Sequence, residues 1–570
     1  MYINQISIKN FRGFKSFTTK LLPMTIVIGE NDAGKTNLFS AMSLPLSGNS
    51  VDYNKKRLTV SDINTQCIIE FFQAVIDNSD IEVLRSLIPK VIITLDFSSP
   101  EDEYERQLLG RWIHDNNGHE CYRIQYEFRP KSNDDLIEVV QDLLSDINDI
   151  ETARWFTLPI ETYEYKIISV NNGRDISYKD LKRVQISNIN AERDDFSDSD
   201  TMKANSLLTK LLVNTLDDAE RNEINQAYVD FFSSIEDTDS FDKIINAIHG
   251  EDSFQNIEAF ISQLKCIPNL PNLKNILSNI TLKYGDKFLY QKGLGERNLV
   301  YIFILFSYYR THQSEIFNLC CIEEPEAHLS VNNLRLASDF IFKSVKQNSS
   351  LVQTIIATHN PSVINKLKLS NVLALSGDKA ILLSDVSQPL VDYLRKRPNF
   401  DILKLLFANR VILVEGTTEE MLFNSIILRD ESLSNIEVIS IGQKGYKKFL
   451  DIWLKLNREN PNKKIGVVRD FDNQPNAREQ HNVYDRNNEN IVVRTTEGYT
   501  LENDIADTEE NAALLSELFE VGNTPEDVAN KMISGKAESM LVLCDAMLKE
   551  EEPLNLTLPP HIFEIFEALS

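Results

Sequence analysis

At 570 residues the chain is too long for one hydrophobic core, so two to four domains are expected. Its 42% apolar and 25% charged residues exclude a disordered or fibrous chain and fit a globular one. The net charge of −26 argues against nonspecific coating of DNA or of an anionic membrane, so any contact with a polyanion must use a local basic patch or bound cations.

The first forty residues alternate extended runs with turns. Tyr2 to Lys9 alternates around Ile3, Ile6 and Ile8, and Phe14 to Leu22 is a second extended run. Met24 to Ile28 is a short apolar strand ending at Gly29, and Lys35 to Leu46 reads as a helix. Val91 to Phe97 and Cys121 to Phe128 are further strands by β-branched and aromatic content. From Met202 to Ser278, Leu, Ile and Phe recur at helical spacing among acids, which predicts an acidic amphipathic helical region, either an inserted arm or a plain subdomain. Strand signals return at Leu319 to Ile322 and Val352 to Ala357. A new unit begins near Phe407, with strands Val411 to Val414, Val438 to Ile441 and Ile465 to Val468 separated by helical stretches, the alternation of a parallel sheet. Beyond Asn511 the chain is helical and acidic.

None of the six cysteines forms a C-x-x-C pair, so a zinc site is not expected. Cys320 and Cys321 read as buried packing residues, and free thiols suit a reducing cytoplasm. The opening M-Y-I-N-Q-I-S-I-K-N lacks a signal-peptide layout. The most apolar run, L-V-Y-I-F-I-L-F from Leu299, is too short to span a membrane and predicts a buried helix.

G-E-N-D-A-G-K-T, Gly29 to Thr36, satisfies G-x-x-x-x-G-K-[ST] between a strand and a helix. In that context the glycines let backbone N–H groups surround phosphate oxygens, Lys35 reaches the β- and γ-phosphates, and the Thr36 hydroxyl ligates Mg2+. N-L-C-C-I-E-E-P-E-A-H-L, Asn318 to Leu329, places Glu323 and Glu324 after an apolar strand. Alone these acids fit a helix start equally well. Beside a phosphate loop, Glu323 is expected to hold Mg2+ and Glu324 to polarise the attacking water. His359 follows the strand of T-I-I-A-T-H-N-P, where an α/β domain faces its ligand. Gly293 and Gly295 in Q-K-G-L-G-E-R-N offer N–H groups before an apolar helix.

V-I-L-V-E-G-T-T-E-E, Val411 to Glu420, ends a strand at Glu415 and places Glu419 one helical turn on. V-V-R-D-F-D-N-Q, Val467 to Gln474, sets Asp470 and Asp472 behind another strand. On its own this segment reads as a solvated turn. Neighbouring strands in a parallel sheet would bring Glu415, Asp470 and Asp472 together, and such a carboxylate cluster calls for hard cations, Mg2+ or Mn2+.

The phosphate loop, Gln291–Asn298, the paired glutamates and His359, in this order, resemble ABC-type ATPases of the SMC, RecF and OLD group, as does I-S-I-K-N-F-R-G-F, Ile6 to Phe14. The resemblance implies nucleotide contacts from Gly29, Asn31, Gly34, Lys35, Thr36 and Asn37, and an ATP site completed by the glycine segment of another subunit, hence a homodimer or higher oligomer. Glu323 stands where relatives carry Asp, and G-L-G-E-R-N departs from the transporter signature. The E-G and D-x-D pair resembles a TOPRIM domain. T-L-E-N-D, Thr500 to Asp504, matches the acidic L-E-x-D segment of OLD nucleases and makes Glu502 and Asp504 candidates for a second metal. Lys536 falls where those nucleases carry a charge-stabilising lysine. Nearly end to end, the chain resembles OLD-family ATP-dependent endonucleases of the Gabija-like and retron-associated kinds.

The expected fold is α/β: an ABC-type ATPase domain with a helical insertion, then a Rossmann-like TOPRIM domain on a parallel sheet. The expected divisions are 1–200 and 281–405 for the ATPase, 201–280 for the insertion and dimerisation region, and 406–570 for TOPRIM with its terminal helices. The expected activity is ATP-regulated, two-metal DNA cleavage in antiphage defence, in the cytoplasm and without a membrane. A helicase or a retron reverse transcriptase with its nucleic acid is the implied co-encoded partner. The competing reading is a RecF- or SMC-like repair ATPase whose C-terminal domain is only a scaffold. A topoisomerase would need a nucleophilic tyrosine in a domain that is not evident here.

Overall fold

A computed structural model of the chain describes residues 1–48, 56–116, 119–171, 173–181, 183–189, 207–236, 273–277, 280, 282–311, 317–347, 352–366, 369–385, 392, 400–442 and 445–570. The N-terminal half is built on two sheets. The first is antiparallel, in the order Phe14–Lys20, Ile3–Phe11, Val91–Phe97, His119–Pro130, Ile113–Asn116, with Tyr163–Ser169 also paired to His119–Pro130. The second is mostly parallel. Its central run is Val372–Ser376, Met24–Ile28, Val352–Ala357, Phe317–Glu323 and Val184–Ile189.

Alternate residues of the parallel strands serve two cores, because successive side chains point to opposite faces. Val27, Leu319, Cys321, Ile355 and Ala357 pack with the antiparallel sheet. Ile26, Ile28, Cys320, Ile322 and Ile356 pack on the other side. The adjacent cysteines are therefore buried packing residues on opposite faces. Cys67, Cys121, Cys320, Cys321 and Cys544 are all free.

The second face of the parallel N-terminal sheet shares its core with the C-terminal unit. Phe306 and Tyr309, from the helix Leu294–Thr311, lie in one apolar cluster with Tyr446, Phe449 and Trp453 of the helix Tyr446–Asn457 and with Val411, Leu413, Ile465 and Val467. Residues 406–570 thus form a second sheet but not a wholly separate core. That sheet is four parallel strands in the order Ile436–Ser440, Arg410–Val414, Lys464–Arg469, Ile491–Thr495. Its far face, with Ile412, Val414 and Val468, is covered by C-terminal helices including Ala537–Met547 and Pro560–Leu569.

Within 201–280 the described elements are the helices Leu207–Thr215, Asp218–Glu236 and Leu273–Leu277, and the rest of that span lies outside the described residues. The apolar run from Leu299 lies inside the helix Leu294–Thr311. Among the described residues no helix is long and apolar enough to cross a membrane.

Candidate active site

The register of the parallel sheet levels three strand ends. Glu323 pairs with Ala357, and Ala357 pairs with Val27. Gly29 to Thr36, the paired glutamates and His359 therefore leave the sheet along one carboxyl edge, where open α/β sheets bind ligands. Gly34 adopts φ +100, and a Cβ there would lie 2.7 Å from the Phe14 ring. Only glycine relieves both constraints. Lys35 Nζ donates to the carbonyls of Gly29 and Glu30, each at 2.9 Å. Burial pulls its pKa down, while Glu324 and Glu323 draw it back up, which places both acids within electrostatic reach of the lysine.

Glu324 turns out of the sheet with φ 42, and its Oε1 lies 3.4 Å from His359 Nε2. Its pKa rises to about 8, first through burial, then through a hydrogen bond and like charge shared with Glu326, against the opposing pull of Lys35. Glu326 was not legible as a site residue. Its Oε1 accepts from the Thr358 hydroxyl and, at 3.2 Å, from the His359 N–H. Its buried Oε2 has no donor of its own, so contact with Glu324 is satisfied when one proton serves both carboxyls. His359 is pushed towards its neutral form by burial and by Lys35. Gly295 packs against the carbonyl of His328 in the glutamate segment of its own chain, leaving no room for a Cβ, whereas a Cβ on Gly293 would meet nothing. Among the nucleotide-loop asparagines, Asn37 Oδ1 accepts from Arg12 at 3.2 Å.

The C-terminal sheet repeats the logic. Leu413 pairs with Val467 and Val414 with Ser440, which sets Glu415 level with Arg469, one residue before Asp470. Asp472 and Asn473 both take left-handed conformations, φ 50 and 55, which Asp and Asn tolerate better than other side chains. The segment is therefore a tight turn and a candidate site at once. The loop after the neighbouring strand Ile491–Thr495 is fastened to that turn. Phe471 N–H donates to the Thr496 hydroxyl at 2.9 Å, Asp472 N–H to the Tyr499 carbonyl at 3.1 Å, and Leu501 N–H to Asp470 Oδ1 at 3.0 Å. These bonds bring Glu502, at the start of the helix Leu501–Ala506, to the cluster.

Asp470 is pushed up to about 8 by burial and then by the charges of Glu419, Glu415, Glu502 and Asp472. Four of the predicted carboxylates thus act on Asp470. Glu419 also caps its helix, its Oε2 accepting from Gly416 N–H at 3.1 Å and from the Thr418 hydroxyl at 2.9 Å. Among the described residues, no three His, Cys, Asp or Glu side chains form a closed metal-ligand group. The acids are electrostatic neighbours, not a completed cage.

Two predicted residues stand apart from this cluster. Asp504 was expected as a metal ligand, but its carboxylate accepts from Gly498 N–H at 2.6 Å and Glu497 N–H at 2.8 Å, and His561 Nδ1 lies 3.1 Å from it. Burial works against its charge, yet these partners hold its pKa below the usual value. Both oxygens serve structure. Lys536 is exposed between the helices Pro525–Gly535 and Ala537–Met547, and its side chain makes no ion pair with these acids among the described residues. Arg469 is buried, donating to the Asp470 carbonyl at 3.0 Å and lying 3.1 Å from His481 Nδ1. Burial and then Arg469 lower the His481 pKa to about 4, so its ring is a neutral acceptor.

Comparison with known proteins finds a match in each half of the chain. Residues 1–364 match the AAA ATPase domain family, and residues 406–472 match the overcoming lysogenization defect protein-like TOPRIM domain. The chain belongs to the OLD family of ATPase–TOPRIM proteins. The TOPRIM match takes in Glu415, Glu419, Asp470 and Asp472 and stops before Glu502, Asp504 and Lys536. Endonuclease GajA of Bacillus cereus strain HuB5-5 is 22% identical over 75% of the chain and 71% of its own length. Its counterpart from strain VD045 is 21% identical over 75% and 68%. Solved SMC head domains from Pyrococcus furiosus and Thermotoga maritima are each 14% identical, with TM-scores of 0.33 and 0.27. The first alignment covers 69% of this chain and 99% of that head domain, the second 67% and 97%. The fold rests on the sheet order described above, not on these low scores.

Proposed function

We propose that this OLD-family protein is an ATP-regulated, divalent-metal-dependent DNA endonuclease acting in antiphage defence. The observation that carries the reading is the gathering of Glu415, Asp470 and the Glu502 loop at one edge of the C-terminal sheet, with Glu419 and Asp472 within electrostatic reach of Asp470. Hard anionic oxygens crowded at strand ends suit Mg2+ or Mn2+ and fit no apolar ligand. Glu415, Glu419, Asp470, Asp472 and Glu502 would hold such ions, drawing together as their mutual repulsion is relieved. Bound there, divalent ions supply Lewis acidity to a phosphodiester and an activated water.

The chain's own residues set the stage for that chemistry. The Leu501 N–H fixes Asp470 Oδ1, so the other oxygen is the one left to face a ligand. The turn at Asp472 and Asn473 aims the second aspartate, and Arg469 with His481 braces the turn from within. At the other site, Lys35, Thr36 and the loop N–H groups would bind the phosphates of ATP, Glu323 would hold its Mg2+, and Glu324, with Glu326 and His359 beside it, would accept a proton from water. The relatives named as endonucleases support the activity. Assembly as a homodimer, with 201–280 contributing, and a co-encoded defence partner belong to the same reading.

The test is nicking of a supercoiled plasmid in Mg2+ or Mn2+ by wild type, Asp470→Ala and Lys35→Ala. Asp470→Ala should lose at least about a hundredfold in rate if the aspartate holds a metal that drives the reaction. Undiminished nicking by Asp470→Ala would sink the assignment. ATP hydrolysis without nicking under any nucleotide condition would favour the repair-ATPase reading.

A further inference from the structure

The phosphate loop and the carboxylate sheet meet at one ion pair. Lys463 Nζ donates to Glu30 Oε1 at 3.1 Å and to the Phe407 carbonyl at 2.8 Å. The lysine is only 3% exposed, whereas Glu30 is 44% exposed. A buried ammonium is expensive unless paired, so Lys463 holds its carboxylate tightly, and that carboxylate belongs to the nucleotide loop. Glu30 is engaged twice: its side chain by Lys463 and its carbonyl by Lys35 Nζ. Phosphates that attract Lys35 compete with the Glu30 carbonyl for the same ammonium. Any shift of Glu30 is then felt at Lys463.

Lys463 immediately precedes the strand Lys464–Arg469, whose other end delivers Asp470. Six extended residues span roughly 20 Å. The strand is paired in parallel on both sides, with Arg410–Val414, which leads to Glu415, and with Ile491–Thr495, which leads to the loop carrying Glu502. A displacement along this strand changes where Asp470 stands relative to the carboxylates on either side. The shared apolar core around Tyr446 and Trp453 resists hinge opening between the two sheets, which leaves loop-to-strand motion as the compliant path.

We propose that Lys463 is a positioning residue that transmits the nucleotide state of the phosphate loop to the carboxylate cluster through its pair with Glu30. This inference rests on the endonuclease reading for its biochemical output but not for its structural one. The experiment uses the full-length protein as wild type, Lys463→Met and Glu30→Gln. Plasmid nicking in Mn2+ is measured with and without ATP, ATP affinity is measured directly, and hydrogen exchange of Ile465 to Asp470 is followed with and without ATP.

Wild type should change nicking by about fivefold or more on adding ATP, in either direction, since couplings between sites commonly begin near that size. In Lys463→Met the ratio should fall to within about twofold of unity, with ATP affinity and ATP-free nicking near wild type. Glu30→Gln, on an exposed side chain, should also blunt the response, and combining it with Lys463→Met should add nothing further. It supplies the test alone if Lys463→Met fails to fold. A wild-type ATP response preserved in the variants overturns the proposal, as does a wild type with no ATP response. If wild type does not nick DNA at all, the endonuclease reading fails by itself. The proposal then stands on an ATP-induced change in exchange at Ile465 to Asp470 that the variants lose, and falls if wild type shows no such change.

Discussion

Asp470→Asn is the sharpest probe of the carboxylate cluster, because it separates ligand chemistry from folding. The ordinary Asp value of 3.8 rises to about 8 in the folded protein. Because the folded value lies above the unfolded one, the contribution to stability is fully present below about pH 4 and is lost as pH rises towards 8. Each pH unit corresponds to about 1.4 kcal/mol, so the four-unit rise sets a ceiling of about 6 kcal/mol. Relaxation and water entry reduce such figures, and about 1–3 kcal/mol is the expected remainder. Asparagine keeps an Oδ1 acceptor for the Leu501 N–H, so the variant removes the charge and spares that bond. In EDTA at pH 8, Asp470→Asn should therefore melt higher than wild type, and the gap should close as the buffer is taken towards pH 5. Mn2+ should raise the melting temperature of wild type more than that of the variant, because a ligand stabilises in proportion to its binding. A variant less stable than wild type in EDTA at pH 8, or equally responsive to Mn2+, would refute the account of a strained anionic cluster awaiting a cation.

Gly34→Ala places a methyl against Phe14 at a left-handed position. A penalty of about 2 kcal/mol at the loop should lower the melting temperature by a few degrees and, by distorting the loop, lower ATP affinity by more than about tenfold, read by nucleotide titration. The pH dependence of ATP hydrolysis should rise between about pH 6 and 8 as Glu324 loses its proton, and the rising limb should move to lower pH in Glu326→Gln, which removes a like charge while keeping the Oε1 acceptor for Thr358 and His359. Asp504→Asn should cost about 2–4 kcal/mol, because one of the two N–H donors loses its acceptor. Its folded pKa lies below the unfolded one, so that stabilisation is fully present above the unfolded value and lost as pH falls from there through the folded value. Nicking by Asp504→Asn, assayed well below its melting point, should stay within about fivefold of wild type, the outcome that separates a fastening residue from a metal ligand.

Much of the architecture was legible because buried strands announce themselves. Met24–Ile28 and Val352–Ala357 lie where apolar, β-branched runs predicted them, and the phosphate loop and His359 follow their ends. Strands of mixed polarity were not legible: Val184–Ile189, V-Q-I-S-N-I, and Ile491–Thr495, I-V-V-R-T, take their structure from their neighbours in the sheets. Glu326 escaped notice because its donors, the Thr358 hydroxyl and the His359 N–H, follow a strand and stand more than thirty residues further along. Asp504 misled for the converse reason. Its position in T-L-E-N-D marks it as an acid near the site, and only the fold shows that the Glu497 and Gly498 N–H groups claim it.

Lys463 is the clearest case of a residue whose meaning is wholly tertiary. In P-N-K-K-I-G-V-V nothing separates it from an ordinary solvated lysine before a strand, and its neighbour Lys464 reaches instead to the Ala568 carbonyl. What distinguishes it is burial against Phe407 and a partner 433 positions away. Such a contact is retained at the expense of desolvating an ammonium, and an apolar side chain would fill the same space with less penalty. A charge held there is better explained by what it connects than by the stability it provides. The connection runs from a loop shaped to receive phosphate to a strand that ends in the carboxylate most sensitive to its neighbours. Two catalytic edges built on sheets that share a core cannot drift apart freely, so control by nucleotide has to work through small displacements within that core's margins. The Glu30–Lys463 pair is the place where such a displacement has a charged, directional handle.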